Sequence, residues 1–272
     1  MTARKDRIAI LGAGTIGGAI ARGLVATREV APSSVTLTRR ASASLEPYRR
    51  EGFAVTVDNK GAVIWGDLLI IAVTPGQFDG LLEDIRESLE PARHVLVSVV
   101  SGVSIAQMRT RIGNAIPIVR AMPNTAIAIR ESMTCLAADR ESGAALDRVK
   151  RLFELLGRTV VIEENLMVPA TALCACGIAF FLRAIRAASQ GGIEIGFHAE
   201  DALLMAAQTA KGAAALLLEG GNHPESEVDK VTTPQGCTIA GLNQMEHNGF
   251  SSALIKGIVT SAEKAGVLYR PK

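Results

Sequence analysis

Between Val231 and Leu242 the chain sets Thr232, Thr233, Pro234, Gly236, Cys237 and Thr238 ahead of an apolar run. Residues of these types at this spacing can hold a small carboxylate. Pro234 fixes its own φ and pushes Thr233 towards extended backbone. Gly236 lets backbone N–H groups approach a ligand with no Cβ in the way. A helix starting near Cys237 has first-turn N–H groups without intrahelical acceptors, which favour an anion. Thr238 sets a hydroxyl, donor and acceptor at once, beside them. Thr233, Gly236, Cys237 and Thr238 are therefore candidate substrate-binding residues, although an ordinary turn leading into a capped helix fits the same stretch.

A second group with chemical potential stands at the other end. Gly12-Ala13-Gly14-Thr15-Ile16-Gly17 has the spacing G-x-G-x-x-G between a strand-like run and a helix-like one. It suits a tight turn at Gly12, close approach of a diphosphate at Gly14, and helix-on-strand packing at Gly17. With Thr15 and Ile16 opening the helix, the segment is a candidate dinucleotide cradle. The next strand ends in Thr38-Arg39-Arg40, where an NAD-preferring fold carries an acidic residue. Two guanidiniums there suit a 2′-phosphate and favour NADPH, with NADH possible. Two solvated arginines heading a helix over 42–51 are the plain alternative.

The elements that must position these groups fall into two sets. Strands are expected at Asp6–Leu11, Ser34–Thr38, Val55–Val57, Asp67–Val73, Arg93–Val99, Ile116–Ala121, Met133–Ala138 and Arg158–Ile162. Their near-continuous apolar runs alternate with helical stretches, as in a parallel sheet covered on both faces. Asn59 is placed to cap the helix after the third strand. Pro123 stops pairing at the carboxyl edge of the sheet, where open α/β sheets bind ligands. From Asn165 onward no alternating pattern remains, and helices are expected over 166–190, 199–219, 237–246 and 251–265. The fold class is α/β, a Rossmann-type doubly wound sheet over 1–165 followed by an all-helical domain over 166–272. The run from Ala202 to Leu218 is apolar round most of its circumference and needs cover that about a hundred residues do not supply. A second copy of the chain would supply it.

The totals narrow the class. The chain has 272 residues, 48% of them hydrophobic, and a net charge of +2. So small a charge, with dispersed basic residues, gives no footprint for nucleic acid or an anionic membrane. The longest apolar stretches are expected to stop short of spanning length, and no signal peptide is evident. A cytoplasmic protein with no membrane or nucleic-acid partner is the expectation. Cys135, Cys174, Cys176 and Cys237 form neither a disulfide framework nor a zinc knuckle, and the four histidines have no ligand spacing, so reduced, buried thiols and no metal are expected.

Three segments resemble the Δ1-pyrroline-5-carboxylate reductase family: residues 8–24, 119–131 with Arg120-Ala-Met122-Pro123-Asn124-Thr125, and 231–250 with Val231–Leu242 and Met245–Phe250. The resemblance implies a homodimer or higher homo-oligomer with intertwined helices and the reduction of a small cyclic imine by NADPH. It places Asn59 near the adenosine ribose and the backbone of Ala72, Thr74 and Pro75 along the cofactor. It also brings Met122 and Asn124 to the nicotinamide end and Glu164 near the cofactor, where a charged domain edge explains that glutamate equally well. Thr238 becomes the catalytic candidate, donating to the ring nitrogen of the imine.

Departures from the family's pattern cluster on the substrate side. Gln235 replaces a glycine, Cys174 and Cys176 replace serines, Ala175 replaces a glycine, and Ile178 replaces a proline. Thiols are weak hydrogen-bond partners, so reduction of a larger or less polar cyclic imine is an alternative. A β-hydroxyacid dehydrogenase would need a lysine in a glycine-rich helical context, which no lysine after residue 165 has. A dimer that binds NADPH without turning over is the remaining reading.

Overall fold

The computed structural model describes residues 6–269. Eight strands form one sheet: β1 (Ile8–Leu11), β2 (Val35–Thr38), β3 (Ala54–Thr56), β4 (Leu68–Ile71), β5 (Val95–Ser98), β6 (Ile118–Met122), β7 (Ser132–Ala138) and β8 (Gly157–Val161). Their order is β3-β2-β1-β4-β5-β6-β7-β8. All pairings are parallel except β6 with β7, which is antiparallel. The order reverses between β1 and β4, so their carboxyl ends flank the crevice where doubly wound sheets bind ligands.

Helices cover this sheet: α1 (Thr15–Ala26), α2 (Glu46–Arg50), α3 (Asn59–Trp65), α4 (Pro75–Ile85), α5 (Ile105–Ile112) and α6 (Gly143–Glu154). Every residue of β1 and β4 is buried, as expected of central parallel strands. Alternate residues feed the two faces: Ile8 and Ile10 join one apolar cluster with Ile20 and Leu24, whereas Ala9 and Leu11 join another with Phe78 and Leu82. Each such large aliphatic side chain contributes about 1.5–3 kcal/mol on burial.

The remaining helices are α7 (Met167–Ala170), α8 (Gly177–Glu194), α9 (Ala199–Gly220), α10 (Pro224–Lys230), α11 (Cys237–His247) and α12 (Phe250–Ala265). Contacts divide the chain into two compact units: residues through Cys176 together with those from Ser261, and Gly177–Thr260. This division falls later than the expected boundary at 165. The reason is that Met167 and Ala170 pack on Met122, Cys135 and Ala137 of the sheet domain. Within the second unit α8 and α9 pack together. A Cβ on Gly192 would stand 3.0 Å from that of Ala202, so small residues bring the two backbones close.

Four local expectations need correction. The 42–51 helix is a 3-10 turn over Ser42–Leu45 followed by the short α2. Thr171–Cys176, within the helix expected over 166–190, is a π-helical turn running directly into α8; Ile178, with an N–H where the family's proline has none, lets the helix continue. The helix α10 was not expected. Finally, Glu164–Glu194 is 31 residues of continuous helix, long and apolar enough by length and composition to cross a membrane, because Gly177 interrupts the apolar run without breaking it.

Candidate active site

The crevice between β1 and β4 opens into a cleft of about 870 Å³. Gly12, Gly14, Thr38, Arg39, Arg40, Asn59, Ala72 and Thr74 line it. The three glycines differ in what surrounds them. Gly12 has φ +113°, and a Cβ there would lie 2.5 Å from the Ala72 carbonyl oxygen at the end of β4. A Cβ on Gly17 would run into the Gly12 carbonyl oxygen and lie 3.1 Å from Ile10. At Gly14 nothing stands within 4 Å of where a Cβ would sit, so the space there is open. Gly14 is also the N-cap of α1 and offers no side-chain cap. The N–H groups of Thr15 and Ile16 thus begin a 12-residue helix suited to a diphosphate. These residues fit a dinucleotide.

The two arginines are placed differently. Arg39 Nη1 donates to the Ala13 carbonyl oxygen at 3.2 Å and so braces the glycine loop. Arg40 is exposed at the cleft rim, with Ser44 lining the same wall. Asn59 does not cap α3: Asp58 occupies the N-cap and Asn59 is the first helical residue. Its Oδ1 instead accepts a 2.7 Å hydrogen bond from Thr38 Oγ1, fixing the carboxamide across the ends of β2 and α3. Thr74 is the N-cap of α4 and Pro75 its first residue, the position where a missing N–H costs nothing. Ile16 packs partly against the core and Thr15 lines a neighbouring hollow.

Met122, Asn124 and Glu164 lie further along the sheet's carboxyl edge and do not line this cleft. Met122 is buried among Cys135, Ala137 and Met167. The Asn124 side chain accepts from the Ala126 N–H and donates through Nδ2 to the Cys174 carbonyl oxygen at 3.3 Å. It therefore ties the loop after β6 to the π-turn. Glu164 Oε1 accepts from the Ile105 N–H at 2.6 Å and from Arg120 Nη1 at 3.1 Å. The Arg120 side chain is only 6% exposed; burial lowers its guanidinium from the usual value and Glu164 opposes that shift. Glu164 is thus committed to α5 and β6.

Of the cysteines only Cys135 is fully buried; Cys174 and Cys176 are half-buried and Cys237 is exposed. The Sγ atoms of Cys135 and Cys174 lie 3.8 Å apart. Their contact raises the Cys135 thiol, helped by burial, and lowers that of Cys174 against its own burial.

In the second unit, Thr233, Gly236, Cys237 and Thr238 gather at the start of α11. The Gly236 N–H donates to the Thr233 carbonyl oxygen at 2.9 Å, closing a turn over Pro234 and Gln235. Gly236 is the N-cap of α11 and no side chain caps that helix, so its 11 residues start with N–H groups suited to a carboxylate. Thr238 is half-buried in this first turn.

Residues 164–268 match the family model described as pyrroline-5-carboxylate reductase dimerisation, and residues 7–102 match that described as NADP oxidoreductase, coenzyme F420-dependent. Over 95% of its length the chain is 50% identical to pyrroline-5-carboxylate reductase 2 of Dictyostelium discoideum, of which it covers 91%. It belongs to the pyrroline-5-carboxylate reductase family. A second relative, pyrroline-5-carboxylate reductase 1 of the same organism, is 56% identical over 97% of this chain, which spans half of that protein's length. A crystal structure of Plasmodium falciparum pyrroline carboxylate reductase with NADP bound has the same fold at a TM-score of 0.89 and 21% identity, covering 98% of this chain and 99% of that one.

Membership in the reductase family gives the Gln235 departure a structural meaning. Gln235 has φ +58°, and with Pro234 before it the turn calls for left-handed backbone at this position. The family's glycine meets that demand without strain; this reductase-family chain places a carboxamide there instead. Thr38, Ser44, Gln77 and Asp79 also stand on the cleft wall, and no motif marks them. Only Thr38 carries a usable signal, as the last residue of a strand leading to the two arginines.

Proposed function

We propose that the chain reduces Δ1-pyrroline-5-carboxylate to L-proline with NADPH, as a cytoplasmic homodimer or larger homo-oligomer. The observation that carries this reading is a cleft at the strand-order reversal with a three-glycine cradle, in a chain 50% identical to a reductase of that name. NADPH supplies the hydride that reaches the C=N carbon. The N–H groups opening α11 bind the carboxylate and fix the ring, and such orientation is worth several kcal/mol of barrier. The Thr238 hydroxyl donates to the ring nitrogen and orients it for protonation. A threonine is a weak acid, so its contribution is positional. Arg40 and Ser44 take the 2′-phosphate, while Arg39 holds the loop beneath the diphosphate. The free thiols suit a reducing compartment.

The departures favour one second reading, the same chemistry on a larger or less polar ring. Cys174 and Cys176 stand on a π-turn where the family has serines, and Gln235 extends from the turn before the anion site. Following NADPH oxidation with pyrroline-5-carboxylate, its six-membered homologue and uncharged cyclic imines separates the two. The proposal expects the five-membered imino acid to give the highest kcat/KM. Faster turnover of an uncharged or larger ring would replace the substrate, and no oxidation with any of them would reduce the chain to a nucleotide binder.

A further inference from the structure

Tyr269 lies outside every motif above, yet it packs on the helix that walls the cleft. Its ring meets Phe78 edge-on, with centroids 6.3 Å apart. Its hydroxyl donates to Asp79 Oδ1 at 2.7 Å. The guanidinium of Arg111, from α5, lies 3.3 Å from the other oxygen, Oδ2. The Tyr269 backbone also crosses Gly102, which has φ +84° and would bring a Cβ within 3.2 Å of it. The terminal turn thereby joins α4 to the loop between β5 and α5, and all of these residues belong to the same compact unit.

Asp79 poses an electrostatic problem that this contact answers. It lines the same cleft as Gly12, Gly14, Arg39 and Arg40, beside Gly76, Gln77 and Gly80; the other α4 carboxylate in that lining, Asp84, has its own cation in Lys60 at 3.6 Å. A dinucleotide phosphate carries several negative charges, and an unpaired carboxylate in the wall of its cleft would repel it in a partly desolvated setting. A carboxylate shared between a phenol and a guanidinium presents far less field. The Asp79 side chain is only 14% exposed, so its charge is turned into these partners. Burial first, and the bond to Asp79 second, raise the Tyr269 phenol above its usual value, so it stays a donor at neutral pH.

We propose that Tyr269 is a positioning residue for NADPH: together with Arg111 it holds the Asp79 carboxylate in a charge-compensated pair, so that this position of the α4 wall does not repel the cofactor in the cleft. The inference rests on the NADPH reading of the cleft.

Calorimetric titration of NADPH into the full chain and its variants tests it, alongside steady-state kinetics and the melting temperature of each protein without cofactor. Tyr269→Phe keeps the ring on Phe78 and removes only the hydroxyl. The expected result is a Kd for NADPH raised roughly three- to tenfold, with a parallel rise in KM and little change in kcat. The rise should be steeper at low salt, since it reports a charge. Adding Asp79→Asn to Tyr269→Phe should return Kd to within about twofold of the wild type, because the charge needing neutralisation is gone. The inference is overturned if Tyr269→Phe binds NADPH like the wild type, or if Asp79→Asn leaves its loss unrelieved. A wild type that binds no NADPH would instead overturn the cofactor reading, and this inference with it.

Discussion

The nucleotide unit and the helical unit treat their apolar side chains in opposite ways. In the first, β1 and β4 are buried throughout and feed clusters closed by α1 and α4. In the second, Leu204 on α9 is 68% exposed and Phe181 on α8 is 61% exposed, and the buried residues of those helices are small ones, Gly177, Ser189 and Ala202. The first unit therefore completes a core from its own residues, whereas the second presents surface that water penalises. The difference teaches where the chemistry is built. The cofactor cradle is finished within one copy of the chain, while the helical unit leaves apolar surface on α8 and α9 that the proposed second copy would cover.

The change expected to have the largest effect tests that contrast at its widest. Leu204→Glu puts a charge into the surface that a second copy would cover, where it costs several kcal/mol unless paired. Sedimentation should show monomers, and activity should fall at least about a hundredfold. Ile64→Glu, also exposed and apolar but on α3 of the nucleotide unit, should leave the assembly intact. A dimeric, active Leu204→Glu variant would break the comparison.

Thr238→Ala sharpens it from the helical side. Removing a positioned hydroxyl should lower kcat/KM roughly ten- to a thousandfold while NADPH binding persists. Unchanged kcat/KM would remove Thr238 from the chemistry.

From the nucleotide side, two glycines of the same loop should behave differently. Gly14→Ala meets open space, so the melting temperature should stay within about 1 °C while the Kd for NADPH rises at least about tenfold. Gly17→Ala drives a methyl into the Gly12 carbonyl oxygen and should cost the fold itself about 1–3 kcal/mol. Equal losses of stability from both would contradict the division between cradle and packing.

A smaller effect separates stability from chemistry. His94 is buried just before β5, its Nδ1 accepting from the Glu90 N–H at 2.9 Å. Burial first, then Arg93, lower its affinity for a proton. The unfolded chain therefore binds more protons than the folded one as pH falls below the ordinary histidine value of 6.5, and stability declines there. Asp67, whose burial alone would raise it, is held well below the carboxylate range by Arg93 and Arg7, so it adds a further loss at more acid pH. Both precede their strands, at the opposite end of the sheet from the cleft. His94→Gln should flatten the decline in melting temperature between about pH 6.5 and 5 without altering kcat. A decline of unchanged slope would remove His94 as its source.

What could be read from the sequence followed from local physics. Apolar runs marked the strands because central parallel strands are buried on both faces, and Gly12, Gly14 and Gly17 marked the cradle because each lacks a Cβ for a nameable reason. The π-turn over Thr171–Cys176 was invisible, since nothing in residue type distinguishes an i→i+5 turn from an α-helical one. The contact division falls later than the boundary near 165, close to where the dimerisation family model begins, because the expected strand pattern ends at Ile162 while the chain goes on packing against Met122 and Cys135 as far as the π-turn. The Tyr269–Asp79 bond links residues 190 positions apart, and no periodicity reports such a contact. The departures at Cys174, Cys176 and Gln235 were legible as residues, but the left-handed backbone at Gln235 that explains the family's glycine was not.

The most direct measurement follows the hydride. Reaction of Δ1-pyrroline-5-carboxylate with NADPH deuterated at the transferable C4 position should yield proline one mass unit heavier, with the label on the ring carbon that had been double-bonded to nitrogen. Unlabelled proline, or labelled cofactor left unconsumed while the protein binds it, would contradict the assignment of this cleft to imine reduction.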